Sequence, residues 1–410
     1  MNDMSVPWSI PKSKMSYFGR RYPRETNEAE DLNQSKIETD AMPSIINVEK
    51  HHIICFFLSI ISYIIDVCSD SLIAIDYIAS QRLTHAFFTI IPYITGFSAT
   101  FILSYIWHKE DHTRCYQYVT SLPAPTAVFR FDVSDYAKLA FKALIGPIYW
   151  NYNAILFAYR MKNVSSKKLK KYFFCRMVEC ERDATLLRLV EAFIESAPQM
   201  IVQTIIVLQS VHYGNNSSVW IYFHYLSILS SLVSVCWALC CQHRTLRMVR
   251  LDKINIHPSE IIIQFLWRFF LMSSRALIIV IAIIAFGYQA AWFGAIHCVA
   301  TILHLFMFQW DGNKGLSYSS RCLVMICNMF IHMFTPFNSV DGPACWRYTV
   351  ALLVELIEAE LIFYYLWFYA NTTNFDVIPL IYTYHSTYII GIILMIIYYK
   401  RLHPSRRSVN

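Results

Sequence analysis

An all-α polytopic membrane protein is the fold class that this sequence predicts, and three observations predict it. Of its 410 residues, 56% are hydrophobic and only 15% are charged, against about 25% charged in an ordinary soluble domain. Apolar runs of membrane-spanning length recur from His51 onward. Basic residues gather between those runs, as the positive-inside rule requires. Such a chain cannot dress a water-facing surface, so a soluble enzyme is excluded. The net charge of +7 is read as loop charge and not as a nucleic-acid surface.

The first element, residues 1–47, is polar and broken by prolines, and it is expected to be a disordered cytosolic tail. No apolar core near its start marks a signal peptide, so the first membrane segment should act as its own insertion signal. Ten hydrophobic helices follow, near 51–75, 84–107, 137–159, 184–208, 219–241, 260–286, 289–309, 318–338, 346–369 and 377–399. Helices are required because lipid leaves no partner for unpaired backbone. The membrane domain thus covers 48–402, with halves near 51–242 and 258–400, and a short cytosolic tail at 403–410.

Loop charge fixes the sides. Lys167, Lys168, Lys170 and Lys171 mark the loop 162–182 as cytosolic, and Arg244, Arg247, Arg250 and Lys253 mark 242–260. The sequons at Asn215, Asn216 and Asn371 want the opposite side. Both loops flanking the third segment are basic, so that segment should enter and leave on the cytosolic face, breaking at Gly146-Pro147. One further non-spanning segment restores parity, and the eighth, ending Phe334-Thr335-Pro336, is the candidate. Eight spanning and two re-entrant helices result, arranged as two pseudo-repeated halves.

The informative residues are polar ones inside apolar runs, where a charge costs about 2.5–3.5 kcal/mol on insertion scales. Asp66 and Asp70 stand four apart in the first segment. Glu191, Glu195, Gln199 and Gln203 repeat that spacing in the fourth. Arg268 and Arg275 lie on one side of the sixth, and Glu355 and Glu358 one turn apart in the ninth. Together they form a ladder of polar groups climbing the bilayer, along which a zwitterionic headgroup could pass while its tails stay in lipid. Structural pairing is the competing reading, and Asp66 or Asp70 is then expected to meet Arg268 or Arg275.

No other chemistry stands out. The 12 cysteines form no CxxC pair and read as buried thiols, the 14 histidines show no metal-ligand spacing, and no phosphate loop or nucleophile elbow is present. Neither a metal nor a cofactor is expected.

The run Leu189-Val190-Glu191-Ala192-Phe193-Ile194-Glu195-Ser196-Ala197-Pro198-Gln199-Met200 resembles the most specific motif of the XK-related family. Ser62-Tyr63 with Asp66 and Asp70, Gly146-Pro147, Phe265-Leu266-Trp267-Arg268 with Ser274-Arg275, and Tyr398-Tyr399 before Leu402-His403-Pro404 resemble other family positions in order. The resemblance runs from about Val48 to Pro404. It implies eight spans with two partial helices. It also implies a plasma-membrane phospholipid scramblase, activated by caspase and exposing phosphatidylserine in apoptosis.

Two departures qualify that implication. Vertebrate members carry the caspase site in a C-terminal tail, whereas the tail here is short and lacks aspartate. Ile37-Glu38-Thr39-Asp40-Ala41 offers a replacement cut after Asp40, similar in placement to the nematode cell-death member, whose N-terminus is cut. The founding member's disulfide-linked peptidase would need a cysteine in the loop 371–376, and none is there. Rival readings are an ion-coupled secondary transporter and a non-transporting subunit that chaperones a single-span membrane partner.

Overall fold

The computed structural model describes residues 50–120, 133–165, 167–213, 218–248, 256–309, 325, 328–337, 345–369 and 378–403, and every element among them is helical. Asp40 with its tail, and the sequons at Asn215, Asn216 and Asn371, lie outside the described residues.

Helices α1 (Lys50–Ala79) and α2 (Leu83–Thr120) form the first antiparallel pair, joined by a tight turn in which Gln81 takes a φ of 58°. The outward faces of both are apolar: Leu58, Ile65, Leu72, Phe87 and Ile94 are exposed, as a lipid solvent permits. The third predicted segment is two helices, α3 (Val133–Leu144) and α4 (Gly146–Asn163), broken at Ile145 where Pro147 opens the new helix. Gly146 sits at the level of Ser104, and a Cβ on it would lie 2.8 Å from the Ser104 hydroxyl. The His108 and Trp150 rings stack at 4.6 Å. Therefore α4 descends beside α2, while α3 climbs along the last turns of α2. The pair enters and leaves on one face. Ala154 and Ala158 let α4 pack closely on α5 (Lys167–Glu191), against Met177, Cys180 and Ala184.

α5 corrects the expected boundaries. Residues 167–182 belong to a helix, not a loop, because their charges alternate with Phe and Leu instead of forming a turn. It continues through a π-helical turn, Ala192–Ser196, into α6 (Ala197–Tyr213). Pro198 lacks an N–H and its ring crowds the carbonyl four residues back, which accounts for the wider turn preceding it. Then α7 (Ser218–Met248) runs antiparallel to α1 and also outlasts its expected end, carrying Arg244 and Arg247 within the helix.

The second half opens with α8 (Pro258–Phe286), capped by His257 and Glu260. It turns at Gly287, whose φ is +56°, and returns as α9 (Ala290–Gln309). Near the end of α9, His304 Nε2 lies 3.1 Å from the carbonyl oxygen of Arg347, at the start of α10 (Cys345–Tyr369). Trp267 of α8 packs on Tyr348, and Arg275 meets Glu358, so α10 rises parallel to α8. The chain between α9 and α10 therefore begins and ends on the same face. Its described stretch, 328–337, stops being helical after His332, level with Arg275 in mid-helix. There Ile331 and Phe337 enter a core with Leu189, Phe193, Val235, Leu239 and Met272. Non-helical backbone at that depth is buried in protein, as it must be. Finally α11 (Ile378–Ile397) descends along α10 and ends in a second π turn, Tyr398–Leu402.

Six helical stretches are long and apolar enough to cross a membrane, and one of them, Pro258–Phe308, contains both α8 and α9. α10 has the length but carries Glu355, Glu358 and Glu360. This is a multi-pass membrane protein.

Candidate functional site

Polar side chains buried between α1, α2, α5–α6 and α7 form a column along the whole of α1. At its inner end Glu181 accepts hydrogen bonds from Arg244 and, at 3.0 Å, from Thr245. One step up, Arg188 Nη1 lies 2.9 Å from Glu191, its Nη2 donates to Ser234 at 2.6 Å, and its guanidinium stands 5.0 Å from the Tyr63 ring. Above them Asp66 accepts from Ser196 at 2.7 Å and from Ser231 at 3.3 Å. Asp70 accepts from Ser227 at 3.2 Å, while its second oxygen and both polar atoms of neighbouring Gln199 lack a partner of good geometry. Higher still, Gln203 Oε1 accepts from Tyr77 at 3.0 Å and lies 2.7 Å from His224 Nδ1, and its Nε2 points to Thr89 at 3.4 Å. At the outer end Trp220 donates to Asp76 at 3.2 Å.

Local sequence explains this alignment. Asp66, Asp70 and Tyr77 share one face of α1 by helical spacing, and Ser227, Ser231 and Ser234 share one face of α7. Glu195 sits in the π turn and differs from the rest: it is 4% exposed yet has no hydrogen-bond or ion-pair partner among the described residues. Its side chain lies flat on Gly96 of α2, where a Cβ would come within 2.5 Å of its carboxylate.

The second half holds a smaller cluster. Arg275 Nη1 donates to Glu358 at 2.9 Å and its Nε to the Met333 carbonyl at 3.0 Å. His297 meets the same carboxylate at 2.8 Å. Glu355 is buried and lines a cavity of about 360 Å³ with His297, His304 and His332. Arg268 stands apart: it is 1% exposed, lies 4.7 Å over the Trp267 ring, and its Nε and Nη1 have no hydrogen-bond partner among the described residues.

The expected pairing of Asp66 or Asp70 with Arg268 or Arg275 is not formed. The two aspartates take serine hydroxyls, Arg275 takes Glu358, and Arg268 faces an aromatic ring. The ladder read from sequence accordingly divides into a column of Asp66, Asp70, Glu191, Glu195, Gln199 and Gln203, and a separate cluster of Arg275, Glu355 and Glu358.

A family model described as XK-related protein matches residues 54–404. The chain belongs to the XK-related family. Its relatives include Cell death abnormality protein 8 of Caenorhabditis briggsae, 34% identical over 94% of this chain and 85% of the relative. The protein of that name in Caenorhabditis elegans is 32% identical over 94% of this chain and 86% of its own length.

Several polar members of this XK-related chain escaped sequence reasoning. Arg188, Glu181 and Arg244 fell near or within presumed loops. Ser196, Ser227, Ser231 and Ser234 look unremarkable in apolar runs, although the three on α7 recur at spacings of four and three, which is a usable signal. Gly96 gives no signal at all. Among the described residues no set of ligating side chains could hold a metal ion, and Cys55, Cys68, Cys175, Cys180, Cys236, Cys240, Cys241 and Cys298 are free thiols, five of them buried.

Proposed function

We propose that this protein is a phospholipid scramblase of the plasma membrane. It moves phosphatidylserine and other lipids between leaflets without ATP, and caspase cleavage after Asp40 in the cytosolic N-terminal tail switches it on during apoptosis. The observation that carries this reading is the buried polar column along α1. A headgroup crossing the bilayer needs polar partners at every depth, and the column offers them from Glu191 to Gln203. At Asp70, Glu195 and Gln199 the partners are incomplete, so a headgroup could be accommodated without breaking a strong pair. Family membership supports the same reading, as do relatives whose name links them to cell death.

The column is closed in this structure, and α2 covers it. On that helix Thr89, Gly96, Thr100 and Ser104 are small and face inward, so its backbone lies close against the column. Opening is movement of α2 away from Glu195, and the intact N-terminal tail restrains it. The chemistry is solvation of a headgroup; no bond is broken.

Reconstitution of the purified full chain in liposomes with fluorescent phosphatidylserine tests both statements. Lipid movement that appears only after caspase cutting, and never in Asp40→Ala, is the expected result. Equal movement with and without cutting removes Asp40 as the trigger. Absence of movement under both conditions rejects the scramblase reading.

A further inference from the structure

From Lys138 to Val178 the sequence has nine Lys and Arg residues and no Asp or Glu. The positive-inside rule accounts for the cations but not for the missing acids, because acidic residues weigh little in setting orientation. The other basic stretch, 242–260, shows the difference. It includes Asp252 and Glu260, and its Arg244 and Arg247 are turned inward to Glu181 and His403.

On the α3–α4 hairpin the cations are turned outward. Lys142, Arg160 and Lys162 are exposed and have no ion-pair partner among the described residues. Lys142 Nζ stands 5.5 Å from the centre of the Tyr149 ring. Arg160 of α4 and Arg176 of α5 stand 5.9 and 5.8 Å from the Phe157 ring, so two helices bring guanidinium groups to one aromatic. Arg176 also pairs at 2.6 Å with Glu179, the acid that ends the stretch. Between the cations the hairpin exposes Phe141, Leu144, Tyr152 and Tyr159. The two tyrosines lie seven apart on α4, opposite the Ala154 and Ala158 face that packs on α5. Exposed rings interleaved with cations suit the level at which headgroups meet acyl chains.

We propose that the α3–α4 hairpin, with the first turns of α5, binds an inositol phospholipid of the cytosolic leaflet that carries two or more ring phosphates. The first turns of α5 add Lys167, Lys168, Lys170 and Lys171 to the cations of the hairpin. Charge decides the headgroup. Phosphatidylserine, like phosphatidylethanolamine and phosphatidylcholine, carries an ammonium group, and this stretch has no carboxylate to meet it. A phosphorylated inositol brings several negative charges and no cation, and its phosphate oxygens match guanidinium donors. Clusters of four to eight Lys or Arg beside a membrane segment attract such lipids. The acyl chains lie against Phe141, Leu144, Tyr152 and Tyr159. This site is separate from the column, whose Asp66, Asp70, Glu191 and Glu195 are acids, and it does not depend on what the column transports.

The test uses the full chain in neutral mixed micelles of detergent and phosphatidylcholine, at fixed salt. Phosphatidylinositol bisphosphate with a fluorescent acyl chain is titrated in, and binding is read as energy transfer from the protein's tryptophans. Wild type should bind it at least about tenfold more tightly than phosphatidylserine labelled in the same way, the effect of two or more additional charges. Each cation near the surface contributes about fivefold in affinity. Lys142→Gln, Arg160→Gln and Lys162→Gln combined should therefore weaken binding about a hundredfold, whereas Lys142→Arg, Arg160→Lys and Lys162→Arg combined should retain it. Arg406→Gln with Arg407→Gln, in the C-terminal tail, should leave it unchanged. A wild-type protein that does not prefer the bisphosphate to phosphatidylserine overturns the proposal without recourse to any variant. Equal losses in the tail and hairpin variants overturn it as well, since net charge alone would then explain binding. Soluble inositol trisphosphate that binds as tightly as the lipid overturns the assignment to a membrane lipid.

Discussion

Asp66 and Glu358 are both carboxylates set between helices, yet their surroundings differ in kind. Asp66 is met by the hydroxyls of Ser196 and Ser231, whereas Glu358 is met by a guanidinium and an imidazole. The first arrangement gives a carboxylate neutral hydroxyl donors, none of which holds it by opposite charge. In the second, opposite charges are locked together, and separating them in an apolar interior is costly. One residue type thus makes a loosely held polar column in one half and a fastening in the other. The partner decides which.

That contrast can be broken most severely at the fastening. Glu358→Ala leaves Arg275 buried without its carboxylate and should cost about 3–5 kcal/mol, read as a lowered unfolding midpoint in detergent. A loss under about 1 kcal/mol would show that Arg275 is satisfied by the Met333 carbonyl alone. At the covering helix, Gly96→Ala forces Glu195 aside, because the new methyl would stand 2.5 Å from its carboxylate. Overpacking of this sort costs about 1–3 kcal/mol, and lipid movement in uncut protein should rise as α2 is displaced. Unchanged stability and transport would mean that α2 does not close the column. The smallest effect belongs to the polar column. Ser227→Ala removes one hydroxyl from Asp70 and should cost about 0.5–1.5 kcal/mol. A much larger loss would place Asp70 among the locked carboxylates.

Much of this architecture was legible from residue types and spacing. The prolines pointed to the break before α4 and to the end of helix after His332, and carboxylates four apart in α1 led to the column. The mispairing had a spatial cause: α1 packs chiefly on α2, α4 and α7, while α8 packs on α6, α7, α10 and α11, so opposite charges on α1 and α8 do not meet. Hydropathy also misread residues 167–182, since a helix with charges on several faces scores as a loop. The serines of α7 and Gly96 were invisible for a plainer reason. Small residues declare nothing until the neighbour that leans on them is known.

The π turn at Ala192–Ser196 has a geometric consequence for the row Glu191, Glu195, Gln199 and Gln203. Each four-residue step along a regular α-helix overshoots a full turn by about 40°, so three steps would walk the row about 120° around the axis. A turn closed by bonds that reach five residues back holds an extra residue and takes back part of that overshoot. The lower carboxylates and the upper amides are thereby kept in phase. Removing a single residue from this turn would restore regular helix and rotate α6 by about 100° relative to α5, swinging Gln199 and Gln203 away from Asp70 and Tyr77. The alignment of the column thus depends on how many residues the chain contains at this point, as well as on which ones.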